Sequence, residues 1–200
     1  YLTVMNENYA HPALPPASAP GILKGGYSLR KGAEGKVRAR LLGSGTILRE
    51  VLAAAEMLEH EHDVAADVYS ITSFSELRRD ALEVERWNLL HPEAAPRVPY
   101  VSELLAEGSG PVVAATDYMR AVPDQVRQWV PGRYATLGTD GFGRSDCRAQ
   151  LRAHFEVDRR YVVVAALKAL CDQGQVDAGT VAKAIATYGI DPEKPSPVLS

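Results

Sequence analysis

Residues 111–116 read Pro-Val-Val-Ala-Ala-Thr, with no charged side chain and only one polar one, at the end. A strand with one wet face alternates apolar and polar positions, because successive side chains point to opposite sides. A short run without alternation fits a strand covered on both faces. Sheets of that kind are built from parallel strands, and parallel neighbours are joined by crossover helices. This stretch therefore restricts the chain to a layered α/β architecture: a mainly parallel sheet covered by helices on both faces.

The flanking segments supply the alternation such a fold requires. "KVRARLLGSG" sets Val37, Ala39 and Leu41 against Arg38 and Arg40, the pattern of a half-exposed strand. Gly43-Ser44-Gly45-Thr46 breaks it. The next helix carries Ile47, Val51, Ala55 and Leu58 on one stripe, with Leu48 and Leu52 beside it. "ADVYSIT" is a second strand. Ser73 or Ser75 is placed to cap a helix that ends near His91-Pro92. "PYVSELLAEG" gives a short helix, "PDQVRQWV" a helix with Pro123 in its first turn, and "RYATLG" a last strand. The total is about five strands.

Helices alone follow. "SDCRAQLRAHF" spaces Leu151 and Phe155 one turn apart. Val162, Val163 and Val164 favour strand by propensity, but the length of their segment and its Ala-Leu-Lys-Ala-Leu ending favour a buried helix. Full burial of each valine contributes roughly 1.5–3 kcal/mol. Asp177 and Gly189 start and stop a final helix.

The beginning differs in kind. "YLTVM" is rich in strand formers, and four prolines between Pro12 and Pro20 then exclude helix and central strand. The chain starts at Tyr1 rather than methionine and enters a strand with no lead-in, as a piece cut from a longer polypeptide would. The expected division is a last strand of a preceding domain over 1–10, a proline-rich linker and edge segment over 11–30, and the domain proper over 31–200.

Composition excludes several classes of function. With 46% hydrophobic and 24% charged residues and a formal net charge of -3, the 200-residue chain has neither a basic surface for nucleic acid nor a span for a membrane. Arg78-Arg79 and Arg159-Arg160 read as solvated helix faces. Cys147 and Cys171 stand in no metal or redox spacing, which fits a reducing cytoplasm.

The remaining question is chemistry. "GSGT" lies between a strand and a helix, where backbone N–H groups can meet a phosphate, but neither a full dinucleotide fingerprint nor a phosphate-loop lysine is present. His60 and His62 are two apart and diverge on a helix. His91 can meet the last carbonyls of its helix. Cys147 falls in a helix's first turn and Cys171 at the end of an apolar one, both without a base and an orienting acid. The densest cluster is "TDGFGRSD", at the carboxyl end of the last strand, where open α/β sheets place their sites. Asp140, Gly141, Phe142, Gly143, Arg144, Ser145 and Asp146 are its candidates. Gly141 and Gly143 permit positive φ around Phe142, and Ser145 or Asp146 can cap the next helix. Arg144 and Arg148 can bind an anion or pair with Asp140 and Asp146. No base is paired with a nucleophile, so an interface-shaping loop is the preferred reading.

The motifs "YLTVMNENYAHPALP", "LLGSGTILREV", "DVYSITSFSELRRDALEVERWNLLHP", "RVPYV", "TDYM", "LGTDGFGRSD" and "LRAHFEVD" together resemble the carboxyl-terminal end of homodimeric bacterial pyruvate dehydrogenases, within the wider transketolase group. The resemblance runs along essentially the whole chain. It implies a much longer parent that decarboxylates pyruvate on thiamine diphosphate with Mg2+ and passes the two-carbon unit to a lipoyl group of the acetyltransferase. It implies that diphosphate- and pyrimidine-binding domains lie upstream and that this third domain holds no cofactor, metal or catalytic residue. Its partners would be the dimer mate, the upstream domains and, as an alternative, the acetyltransferase itself. Pro123 departs from the family's continuous helix after "TDYM", so a break is expected there. An independent nucleotide- or anion-binding protein is the remaining alternative.

Overall fold

The computed structural model describes residues 8–35 and 37–200. The expected strand over residues 1–5 lies outside them. Five strands form one sheet: β1 (Tyr27–Arg30), β2 (Arg38–Gly43), β3 (Ala65–Ser70), β4 (Val112–Ala115) and β5 (Tyr134–Leu137). Their order is β1-β3-β2-β4-β5. All pairings are parallel except that of β1, which runs antiparallel along the β3 edge. The α/β sheet expected from the sequence is therefore observed.

The helices are α1 (Ala19–Lys24), α2 (Leu48–His62), α3 (Phe74–Leu90), α4 (Tyr100–Ala106), α5 (Ala121–Asp124), α6 (Arg148–His154), α7 (Arg159–Cys171) and α8 (Ala178–Thr187). They cover two faces. Beneath α2, α7 and α8 the sheet contributes Ala39, Leu41, Ala66, Val68, Val113 and Ala115. Beneath α3 and α4 it contributes Leu42, Tyr69, Val112, Ala114 and Tyr134. All four residues of β4 are fully buried, Val113 and Ala115 under one layer and Val112 and Ala114 under the other. The run without alternation is the doubly covered strand it was read to be. Ser73 Oγ accepts from Glu76 N at the start of α3, and Asp177 accepts from Thr180 N at the start of α8. Gly189 follows α8 with φ +62°.

Three expectations need correction. The proline-rich segment contains a helix after all. Pro20 sits in the first turn of α1, where no N–H is missed, and Gly25 ends the helix at φ +102°. This segment is fastened to the domain: Thr72 and Ser73 donate their backbone N–H groups to Gly25 O, and Tyr100 Oη donates to Gly26 O. The single helix over 123–130 is instead one turn, α5, followed by a 3-10 turn at Arg127–Trp129. Arg127 Nη1 donates to Tyr134 O at 2.7 Å, and Ser102 Oγ to Trp129 O at 2.6 Å, so this segment's polar groups are held by β5 and α4. Of the three valines in α7, Val162 and Val163 are fully buried, while Val164 is only half covered.

The third correction concerns β2. It is not half-exposed: Arg40 is 4% exposed. Its guanidinium donates to Leu105 O (2.8 Å), Gly110 O (2.6 Å) and Pro131 O (2.8 Å). These carbonyls precede β4 and β5, so one buried cation closes the amino edge of the sheet. Burial pulls the Arg40 pKa below its ordinary value, against the fields of Tyr69 and Asp67. Gly110, with φ +81°, lies tight against the start of β2: a Cβ there would lie 1.8 Å from Arg38 O.

Candidate functional site

The carboxyl edge is built differently. β2 is flanked by β3 on one side and β4 on the other, and the connections leave toward opposite faces. Open α/β sheets form a crevice at such a point, outside the carboxyl ends of the strands. Three loops meet there: 43–47 after β2, 116–120 after β4 and 138–147 after β5. Ser44 Oγ and Thr116 Oγ1 are 2.8 Å apart, and Thr116 Oγ1 accepts from Tyr118 N. Thr46 Oγ1 reaches Asp117 Oδ2 at 3.4 Å. Thr139 Oγ1 donates to Asp117 O at 2.7 Å, and Thr139 N to Tyr118 O at 2.9 Å. "GSGT" and "TDGFGRSD" are thus two walls of one feature, with the loop after β4 between them.

They enclose an open cleft of about 360 Å³ lined by Thr46, Asp117, Thr139, Gly141, Arg144 and Arg148 among others. Gly45, at φ +57°, brings the first loop against the Asp117 carboxylate, where a Cβ would stand 3.2 Å from Oδ1. Around the back of α6, a second cleft of about 490 Å³ shares Arg148 and Arg152 with the first and adds Arg49, Glu50, Asp158, Arg159 and Arg160.

The candidate loop divides into fixed and projecting parts. Asp140 Oδ2 accepts from Arg120 N at 3.1 Å and lies 3.6 Å from Arg120 Nε. Gly141 has φ +117°, and a Cβ there would lie 2.1 Å from Pro197 O, so the loop passes tightly under the chain's carboxyl-terminal segment. Gly143 has no positive φ and nothing within 4 Å of its missing Cβ, contrary to the pairing of glycines expected around Phe142. Phe142 is 76% exposed. Arg144 forms no ion pair among the described residues, so the anticipated pairing with Asp140 or Asp146 is not seen. Asp140 pairs with Arg120 instead. Nor do Ser145 or Asp146 cap α6. The cap position is Cys147, without a side-chain bond, and Asp146 Oδ1 accepts only from Cys147 N.

Most of the other single residues have ordinary surroundings. His62 Nε2 lies 2.8 Å from Tyr188 Oη, and burial pushes its pKa down. His91 Nδ1 lies 2.8 Å from Trp87 O, at the end of α3 as its position suggested. Cys147 is exposed and Cys171 half-buried. Among the described residues no group of three His, Cys, Asp or Glu side chains is placed to hold a metal. No helix is long and apolar enough to cross a membrane.

Sequence reasoning missed Glu50 and the arginines around it. Glu50 is 6% exposed on the first turn of α2. It accepts from Arg152 Nη1 (3.1 Å), Arg159 N (3.1 Å) and Arg159 Nε (2.9 Å). Burial alone would raise its carboxyl; the hydrogen bonds and charge of Arg159, with the charge of Arg152, outweigh that and hold it below the usual glutamate range. Arg159 and Arg160, read as a solvated face, are instead paired with buried carboxylates, Glu50 and Asp158. No local pattern reveals the Glu50 contacts, because their partners sit more than 100 residues away, whereas Arg160 and Asp158 are only two apart.

Three comparisons bear on identity. The family model of the transketolase-like TK C-terminal domain matches residues 25–158. The pyruvate dehydrogenase E1 component of Pseudomonas aeruginosa is 56% identical over 200 residues, covering 99% of this chain and 23% of that protein. The protein of the same name from Escherichia coli K12 is 53% identical over 203 residues, covering 100% of this chain and 22% of its own length. The chain thus spans less than a quarter of these relatives. The crystal structure of transketolase from Campylobacter jejuni shares the fold, with a TM-score of 0.51 and 20% identity over 74% of this chain and 19% of that one. With two thirds of its residues under one family model, the chain belongs to the transketolase-like TK C-terminal domain family.

Proposed function

We propose that this chain is the non-catalytic third domain of a thiamine-dependent pyruvate dehydrogenase, the first component of the pyruvate dehydrogenase complex. In this proposal residues 1–10 end a preceding pyrimidine-binding domain, 11–30 link and 31–200 form the third domain. The parent, a cytoplasmic homodimer, decarboxylates pyruvate on thiamine diphosphate and Mg2+ held upstream, and reductively acetylates the lipoyl group of the acetyltransferase. The 56% identity maintained over 99% of the chain carries this reading. The domain's role is assembly: it packs against the dimer mate and the catalytic domains. Phe142, held out on a loop whose base is fixed by Asp140 and Gly141, supports the assignment of residues 140–146 to an interface rather than to a reacting centre.

Calorimetry on the 200-residue chain tests the division of labour. Thiamine diphosphate with Mg2+ is expected to give no binding heat, and micromolar affinity would refute the proposal.

A further inference from the structure

The carboxyl ends of α2 and α8 meet at a chain of three side chains, away from both clefts. His62 is the last residue of α2, and Tyr188 is the residue that closes α8. Tyr188 Oη donates to Glu61 Oε2 at 2.8 Å, and His62 Nε2 lies 2.8 Å from the same hydroxyl. The two rings meet edge to face, their centroids 6.1 Å apart. A tyrosine hydroxyl owns one hydrogen. Glu61 receives it, so the second contact runs the other way: Nε2 carries a hydrogen and donates to Tyr188. Neutral His62 is therefore the Nε2–H tautomer, and Nδ1 is the atom that takes up a proton. Nδ1 has no hydrogen-bond partner among the described residues. A proton arriving there charges a half-buried ring and adds no bond within the fold.

The chain of bonds fastens α8, which buries only Val181 and Ala184. After Gly189 the polypeptide returns across α6, where Lys194 Nζ donates to His154 O at 2.9 Å. It then reaches Gly141, at the base of the loop over 138–147, through Pro197 O. α8 is thus the root of the strap that lies on the candidate loop.

We infer that His62, Tyr188 and Glu61 form a proton-sensitive latch, which holds α8 to α2 while His62 is neutral and loosens when His62 is protonated. The charged groups around it come from three helices: Glu61 on α2, Lys183 on α8, and on α7 Arg160, which donates to Tyr188 O at 3.3 Å and is paired with Asp158. Burial pulls the His62 pKa below its ordinary value; Glu61 opposes the pull and Lys183 adds to it. Burial and the bond to Glu61 push the Tyr188 hydroxyl up, so Tyr188 keeps its hydrogen across the range in which His62 titrates. Because the folded imidazole lies below its unfolded pKa, about 6.5, the latch is closed above that pH and weakens as pH falls through it.

Amide hydrogen exchange of residues 178–188 in the 200-residue chain tests this. The wild type and His62→Gln are compared with each other at one pH at a time, so that the intrinsic exchange rate cancels. The glutamine amide can still donate to Tyr188 but takes up no proton, and unchanged melting at about pH 7.5 confirms the fold. At that pH the two should exchange α8 within about twofold of each other. One unit below the ordinary histidine pKa, an opened form binds the proton with up to about a tenfold advantage, so wild-type α8 should lose roughly 3- to 10-fold in protection relative to the variant. α7 should stay equally protected in both. Tyr188→Phe, which removes both bonds, should expose α8 roughly 5-fold at about pH 7.5. Equal protection of α8 in the wild type and His62→Gln in acid, or no effect of Tyr188→Phe, overturns the inference. A nitrogen NMR titration of the wild type needs no variant: His62 should be the Nε2–H tautomer with a midpoint below about 6.5. The Nδ1–H tautomer, or a midpoint at or above that value, overturns the inference as well.

Discussion

The two edges of the sheet use arginine in opposite ways. At the amino edge Arg40 is buried among the carbonyls of Leu105, Gly110 and Pro131. At the carboxyl edge five guanidiniums line an open cleft, and two buried carboxylates hold three of them. In the first arrangement both terminal nitrogens meet neutral carbonyls supplied by the fold, while Nε is buried without a partner. The second sets guanidiniums along an open cleft, some of them paired with buried carboxylates. The same residue type thus bonds backbone carbonyls at one end and carboxylates at the other, and the difference lies in which acceptors the surroundings supply.

The largest test of this contrast is Arg40→Met. It leaves the carbonyls of Gly110 and Pro131 without a donor, while Leu105 O keeps Gly108 N, and at about 1–3 kcal/mol each a loss of roughly 2–6 kcal/mol is expected by urea unfolding. A change under about 1 kcal/mol would show that the amino edge does not depend on its cation. Next comes Gly141→Val, which places a branched side chain at φ +117° against Pro197 O. Backbone strain there costs about 1–3 kcal/mol, and protease should release the carboxyl-terminal segment faster. Gly143→Ala, with nothing near its Cβ, should differ from the wild type by less than about 0.5 kcal/mol.

A modest effect is the most discriminating. Glu50→Gln should cost about 1 kcal/mol at neutral pH, a modest figure because Arg159 is half exposed and solvent screens the pair. The folded Glu50 carboxyl lies below its ordinary value, so its contribution is present above the unfolded pKa, near 4.3, and is lost as pH falls through the folded one. The wild type and the variant should therefore converge in acid. Arg40→Met should show no such convergence, since its partners are carbonyls. Parallel pH dependence in the two variants would erase the distinction between the edges.

Much of the layered fold was legible from local pattern. The doubly covered β4, the apolar stripe of α2 and the caps Ser73 and Asp177 each follow from residues within a few positions of one another. Arg40 was not legible, because alternation assigns an arginine to water unless acceptors are known. Its acceptors lie 65 to 91 residues away. The helix expected over 123–130 failed for a related reason: Arg127 and Trp129 bond to other elements, and these contacts override propensity. At the site, the sequence pointed to residues 140–146 and to the correct edge. That "GSGT" is the opposite wall, and that arginines from α2, α6 and α7 converge, follows only from the strand order.

Arg40 also bears on the order of events during synthesis. Pro131, one of its three acceptors, is 91 residues further along the chain. At translation speeds of about 5–20 residues per second, the guanidinium waits roughly 5–18 seconds for that acceptor to be made. Until then the first four strands of the growing chain carry a cation that the finished sheet hides. A nascent chain paused before residue 131 should keep its amino edge loose and within reach of chaperones.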